Sequence, residues 1–338
     1  MKKITILSLF SILIILLSFL LIPHHYKMPA YEAPTGFRYW NLKNGNKISY
    51  LELATSAISD STPILYIHGG PGACITPKVI EMFRKISTFG YKVYLYDQTG
   101  AGNSSRPDRI QDYSVENHCK DLEEIIDKIA SPKVYVIAQS WGSLLLTNYL
   151  TKHHDKIEKV IFTGPGSILP VDRTLRNIKA PDSLRLQQPI VTNNDGNRKM
   201  NSWRSTFVCW MATKLGIRVA TDKEMDGFFY ALNNELNKST YCDTSKAKPT
   251  APGGGYYAHI MTINSFNLVP DKKKELRNST FPILIMRGQC DNQPWGFTAE
   301  YLDLFPNIQL TIIPDSGHSI SSEQPELYLK TILDFLKN

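Results

Sequence analysis

The stretch Lys133-Val134-Tyr135-Val136-Ile137-Ala138-Gln139-Ser140-Trp141-Gly142, which runs on through apolar residues to His154, decides the fold. Its first half is compact, apolar and β-branched, as suits a strand buried on both faces. Its second half places small residues two before and two after Ser140 and feeds directly into a helix expected over 141–154. A strand that turns so sharply into a helix brings the flanking backbones together, and only small residues fit there. The same text also suits a serine that simply N-caps a helix.

Working outward, equally apolar runs occur at 64–67, 92–96 and 159–162, with helical stretches over 76–87 and 114–129. In the latter, Val115, Leu122, Ile125, Ile126 and Ile129 recur at helical spacing behind Ser114, a suitable N-cap. Strands alternating with helices predict an α/β fold with a mostly parallel central sheet flanked by helices. Two strands around Asn44-Gly45-Asn46 read as a hairpin ahead of it. The alternation stops over 170–278, where Pro-, Asn- and Lys-rich loops and a Gly253-Gly254-Gly255 tract surround helical pieces at 203–215 and 222–236. It resumes with strands at 282–286 and 309–313 and helices at 297–304 and 323–336. The expected organisation is a core over 31–169 and 279–338, interrupted by a helical insertion over 170–278 that is too long for an ordinary loop.

The composition, 42% hydrophobic and 20% charged in 338 residues, excludes a disordered chain, a fibre and a disulfide miniprotein. The net charge of +7 is dispersed, and the longest basic run is Lys272-Lys273-Lys274, so no nucleic-acid partner is expected. No H-E-x-x-H or C-x-x-C occurs, and no metal is expected. Asp97-Gln98-Thr99-Gly100-Ala101-Gly102 follows a strand but lacks the third glycine of a dinucleotide loop, and Arg106-Pro107 prevents an immediate helix, so no cofactor is expected either.

Lys2 and Lys3 precede an apolar run from 4 to 22, which as a helix at ~1.5 Å per residue is long enough to cross a bilayer. The run stays bulky to its end and no small-residue cleavage site follows. Residues 1–30 therefore read as an N-terminal membrane-spanning signal anchor and linker, with the rest outside the cytoplasm. Export after cleavage of a long signal peptide is the alternative.

Three polar residues sit just after successive strands in the order Ser140, Asp291, His318, and His68-Gly69-Gly70-Pro71-Gly72 follows the strand at 64–67. A serine, a histidine and an acid supply a nucleophile, its base and the group that orients the base, and glycines let main-chain N–H groups approach a developing oxyanion. The chain order is that of serine hydrolases with a strand–serine–helix turn. Together with Asp97-Gln98-Thr99-Gly100-Ala101-Gly102-Asn103-Ser104 and Gln139-Ser140-Trp141-Gly142-Ser143, these motifs resemble the prolyl iminopeptidase family of α/β-hydrolases over about 35–170 and 280–336.

The resemblance implies an α/β-hydrolase fold with a helical cap, Ser140 as nucleophile, His318 as base and Asp291 as orienting acid. It also implies an oxyanion hole from the N–H groups of Gly70 and Trp141, and cleavage of short peptides from a free N-terminus. Two residues depart from the family pattern. Thr99 stands where an arginine is usual, and Met211 follows Trp210 where a substrate-binding glutamate is usual. Trp210, Glu224 and Glu235 are the remaining substrate-binding candidates in the cap. A carboxylesterase or amidase on a small apolar acyl substrate, and a non-enzymatic ligand-binding protein of this fold, remain as alternatives. Of five cysteines, Cys209 and Cys242 both lie in the insertion and are the expected disulfide if one forms.

Overall fold

Among the residues that the computed structural model describes (14, 18, 20–55 and 62–337), eight strands form one sheet. β1 (Arg38–Asn41) and β2 (Lys47–Leu53) are the expected hairpin, turned at Gly45 with a φ of +86° that side chains rarely adopt. β2 pairs antiparallel with β4 (Val93–Tyr96). From β4 the sheet is parallel through β3 (Ile64–Ile67), β5 (Val134–Gln139), β6 (Ile157–Thr163), β7 (Ile283–Gly288) and β8 (Ile308–Ile313), in the order β1-β2-β4-β3-β5-β6-β7-β8. The chain leaves β3 in one direction and returns on its other side as β5. Ligands of open α/β sheets bind at such a reversal, beyond the carboxyl ends of the strands.

Three helices follow the first parallel strands. α1 (Pro77–Ser87) is capped by Thr76 and α2 (Val115–Ile129) by Ser114, each hydroxyl accepting from a first-turn N–H. α3 (Trp141–Leu150) follows Ser140 and ends before the two histidines at 153 and 154. The strand period of two divides the core: Val134, Val136 and Ala138 join one cluster with Ile125, Leu145 and, from the neighbouring β6, Phe162, whereas Ile137 joins a second with Phe83, Ile86 and Ile332 on the other side. Each fully buried aliphatic chain there contributes about 1.5–3 kcal/mol.

Between β6 and β7 lie α4 (Asn193–Met200), α5 (Trp203–Trp210), a wide turn at Met211–Leu215, α6 (Asp222–Leu236) and α7 (Tyr256–Asn264). They share an apolar cluster of Val208, Met225, Phe228, Phe229, Tyr256 and Tyr257 that also takes in Ile110 and Tyr113. Phe228, Phe229, Tyr256 and Tyr257 thus pack the cap itself, whereas Trp203 and Trp210 are exposed and Phe266 packs on the core. α4 and α7 are additions to the sequence reading: the glycine tract before α7 reads as loop, yet it lets the helix start against the core. A side chain at Gly255 would collide with the Gly100 carbonyl, and one at Gly72 would stand 2.5 Å from the Gly255 oxygen. The fold closes with α8 (Trp295–Leu304), the short α9 (Ile320–Glu323) and α10 (Pro325–Lys337).

The spanning segment expected over 4–22 lies mostly outside the described residues, which include only 14, 18 and 20–22 of it. Among the described residues, no helix is long and apolar enough to cross a membrane. The end of that stretch and the chain after it lie on the cap: Arg204 hydrogen-bonds the carbonyl of Leu20, within the stretch, and beyond it the His24 N–H donates to Glu224 at 3.0 Å and Tyr26 packs edge-on against Phe228.

The disulfide differs from the expected Cys209–Cys242 pair. Cys242 is bonded to Cys290, with Cα atoms 5.2 Å apart, and Cys209 is free. Cys209 lies on α5, beside the cap cluster, whereas the segment carrying Cys242 crosses to the loops after β7 and β8. Shared membership of an insertion did not imply proximity.

Candidate active site

Four strand ends build the site. At the end of β5, Ser140 has φ +51° and ψ −118°, a conformation costing a non-glycine residue on the order of 1–3 kcal/mol. It is held by its N–H, which donates to the Thr163 carbonyl of β6 at 3.0 Å. The smallness of residue 142 has the expected cause: a Cβ there would collide with the Ile67 carbonyl oxygen. Trp141 opens α3, so its N–H belongs to the first turn, where helical donors lack intrahelical acceptors.

After β7 the chain turns through Cys290 and Asp291, and after β8 through Gly317 and His318. Nδ1 of His318 lies 3.0 Å from Oδ1 of Asp291, which also accepts from the Gln293 N–H at 2.9 Å. Asp291 is fully buried while the His318 ring is 11% exposed, so the ring alone of the pair can meet a ligand. Burial pushes the Asp291 carboxyl up, but the charge and hydrogen bond of His318, the Arg287 charge and the Gln293 N–H outweigh it and hold the group below the usual range. Arg287 also shapes this loop, donating to the Gln293 carbonyl at 2.5 Å and to Thr298 at 2.8 Å. With Nδ1–H donated to a carboxylate, Nε2 is left to accept a proton.

The glycine loop after β3 stands against the serine. A Cβ on Gly69 would lie 3.2 Å from Ser140 Cβ, and Gly70 takes a φ of +133°. His68 braces the loop: its Nε2 accepts from the Gln98 N–H at 3.1 Å, its Nδ1 contacts the Gly69 carbonyl at 2.7 Å, and Gln98 in turn accepts from the Trp141 indole at 2.7 Å. One glutamine therefore links the glycine loop to the serine turn. The adjoining Asp97 accepts from the N–H groups of Ile75 and Asn103, and Thr99 donates to Asp121 at 2.6 Å. These residues shape loops. From the cap, His259 contacts the Pro71 carbonyl at 2.9 Å.

The cap candidates are not gathered at this site as free groups. Glu224 is buried in a two-pronged pair with Arg204, at 2.9 and 2.8 Å, and also accepts from His24. Glu235 is paired with Lys199 and Lys238 at 2.8 and 2.7 Å. Trp210 is half exposed. Sequence reasoning missed Gly164 and Arg287, and it named Gln98 within the 97–104 motif without its bracing role. Gly164 comes directly after β6, and that place at the end of a parallel strand is the signal that could have found it.

A strained serine between strand and helix, an Asp–His pair on the ends of β7 and β8 and a glycine loop beside the serine define a hydrolase of the α/β class. The model for the alpha/beta hydrolase fold matches residues 62–325. A proline iminopeptidase of Lactobacillus delbrueckii subsp. bulgaricus is 33% identical over 300 residues, 86% of this chain and 95% of that protein. One from Heyndrickxia coagulans is 25% identical over 306 residues, 87% and 96% of the two chains. An esterase structure from Exiguobacterium antarcticum shares the fold at a TM-score of 0.61 and 17% identity, over 89% of this chain and 99% of that one. The chain belongs to the prolyl iminopeptidase-like family of α/β-hydrolases and is a serine hydrolase.

Proposed function

We propose that hydrolysis runs through an acyl-enzyme. Ser140 attacks the substrate carbonyl, His318 takes the hydroxyl proton and returns it to the leaving group, and Asp291 holds the ring tautomer and balances its positive form. The N–H groups of Gly70 and Trp141 receive the oxyanion. The observation that carries this reading is the 3.0 Å Asp291–His318 contact on loops beside the strained Ser140 turn.

The substrate we propose is a short peptide cleaved after its amino-terminal residue, a reading supported by likeness to proline iminopeptidases along nearly their whole length. One observation favours a second reading. An ammonium taken out of water needs a carboxylate partner, and both cap glutamates singled out for that task are already neutralised by cations. A neutral ester or amide with an apolar acyl group needs no such partner. Rates on an unblocked prolyl arylamide, its N-acetylated form and a short aryl ester separate the two. Preference for the free amine supports the peptidase, and equal or faster cleavage of the blocked amide or the ester overturns it.

For cellular placement, we propose that the apolar stretch 4–22 anchors the enzyme in a membrane with the catalytic part outside the cytoplasm. Carbonate-resistant membrane association of the full-length chain, with the catalytic part open to external protease, is the expected result. Recovery of a shortened, freely soluble chain favours the cleaved alternative.

A further inference from the structure

Glu323 ends α9, five residues after His318, and the reaction as described makes no use of it. Its Oε2 accepts from the Gly317 N–H at 2.7 Å, directly before His318. The same carboxylate accepts from the Cys242 N–H at 3.0 and 3.1 Å and from the Asp243 N–H at 3.2 Å. One side chain therefore ties the histidine loop to a strap of cap residues, 239–243, that comes after α6.

That strap also touches both catalytic loops independently of Glu323. The Ser319 N–H donates to the Thr240 carbonyl at 2.9 Å, and the hydroxyls of Thr240 and Ser319 meet at 2.9 Å. Asn292 donates to the Ser239 hydroxyl at 3.0 Å, and Cys242 is bonded to Cys290, the neighbour of Asp291. The approach is close as well: a Cβ on Gly317 would stand 2.5 Å from the Thr240 oxygen and 3.0 Å from the Cys242 nitrogen. Three main-chain donors converge on Glu323, and a carboxylate has the lone pairs for all of them. A side chain with one oxygen or none leaves a donor unpaired in a partly buried place.

We propose that Glu323 is a positioning residue for catalysis: it locks the main chain at His318 to the cap strap, so that the ring is held in register with both Asp291 and Ser140. This rests on the roles given above to Ser140 and His318. The cap is then more than a cover, because its docking sets the geometry of the base. Reactivity of this kind is steep in distance, and displacement by about 1 Å can cost up to ~10²-fold in rate.

The test uses the full-length protein and an alkyl fluorophosphonate, which reads the reactivity of Ser140 whatever the natural substrate is. Wild type, Glu323→Ala and Glu323→Gln are compared for the maximal inactivation rate, the half-saturating concentration and the melting temperature. The expected result is a maximal rate lowered about tenfold in Glu323→Ala and less in Glu323→Gln, with half-saturation within about twofold. A merely structural carboxylate lowers the melting temperature and leaves the rate of the folded enzyme unchanged; that outcome, or an effect confined to half-saturation, overturns the proposal. If Glu323→Ala does not fold, an unchanged maximal rate in Glu323→Gln overturns it. Labelling that survives Ser140→Ala overturns the triad reading and this one with it. Ser140-dependent labelling that ignores Glu323 overturns this one alone.

Discussion

Gly164 lies against the His318 ring: a Cβ built on it would stand 3.0 Å from Nδ1 and 3.3 Å from Asp291 Oδ2. The glycine also takes a φ of +52°, a region that costs a side-chain-bearing residue about 1–2 kcal/mol. Gly164→Ala is therefore expected to push the ring away from the carboxylate. Turnover of an aryl ester should fall by about tenfold or more, with a drop of a few degrees in melting temperature. Wild-type turnover in a folded Gly164→Ala protein would show that the ring has slack the geometry denies.

Ser140→Ala and Asp291→Asn should each lower turnover by ~10⁴-fold, the first by removing the nucleophile and the second by releasing the ring tautomer. Steady-state rates at substrate saturation check both, and folding is confirmed by circular dichroism. Near-normal turnover in either variant would refute the corresponding role.

Three buried histidines make stability fall in mild acid. His68, His118 and His259 are enclosed in the fold, and burial lowers each from 6.5 to about 4. Unfolded, they take up protons below about pH 6.5 that the folded chain refuses until about pH 4, so stability is lost progressively across that window as pH falls. Asp97, pushed up to about 6 by burial, works in the opposite direction below pH 6, as do Asp121, Asp226 and Glu300, also raised by burial. His154, lowered by burial, and Asp291 and Glu224, held low by their partners, add to the loss. Melting temperature is expected to drop between pH 7 and pH 4.5, and His118→Gln should flatten the slope. A melting temperature that rises across the same interval would contradict this.

Arg204 and Glu224 have side chains only 3% and 4% exposed. Breaking such a pair leaves a buried charge alone, so Glu224→Ala should cost about 3–5 kcal/mol in denaturant unfolding. Its preference between a free and an acetylated amine should be that of the wild type, because the carboxylate is already committed to Arg204 and His24. A selective loss of free-amine cleavage at unchanged stability would return Glu224 to the substrate site.

Unfolding in an alkylating agent without reductant should modify Cys74, Cys119 and Cys209 alone, and prior reduction should expose Cys242 and Cys290 as well. Reduction should also lower stability by about 2–4 kcal/mol. A linked peptide containing Cys209 would rule out this pairing.

The sequence alone determined the sheet, the serine turn and the order of the three catalytic candidates. Each rests on short-range pattern: apolar runs of strand length, the small residues around Ser140, and polar residues placed just after strands. Hairpin, α1, α2 and α6 were legible for the same reason, since caps and periodicity lie within one element. Distances between elements carry no such signal. That Cys242 meets Cys290, that Gly164 lies beneath His318 and that Glu323 gathers donors from two segments emerge only once the cap lies on the core. The cap glutamates show this most plainly. Their charge made them look available to a substrate amine, but a carboxylate buried on folding is stable only with a partner, and the packing of α5 and α6 had already supplied Arg204 to Glu224.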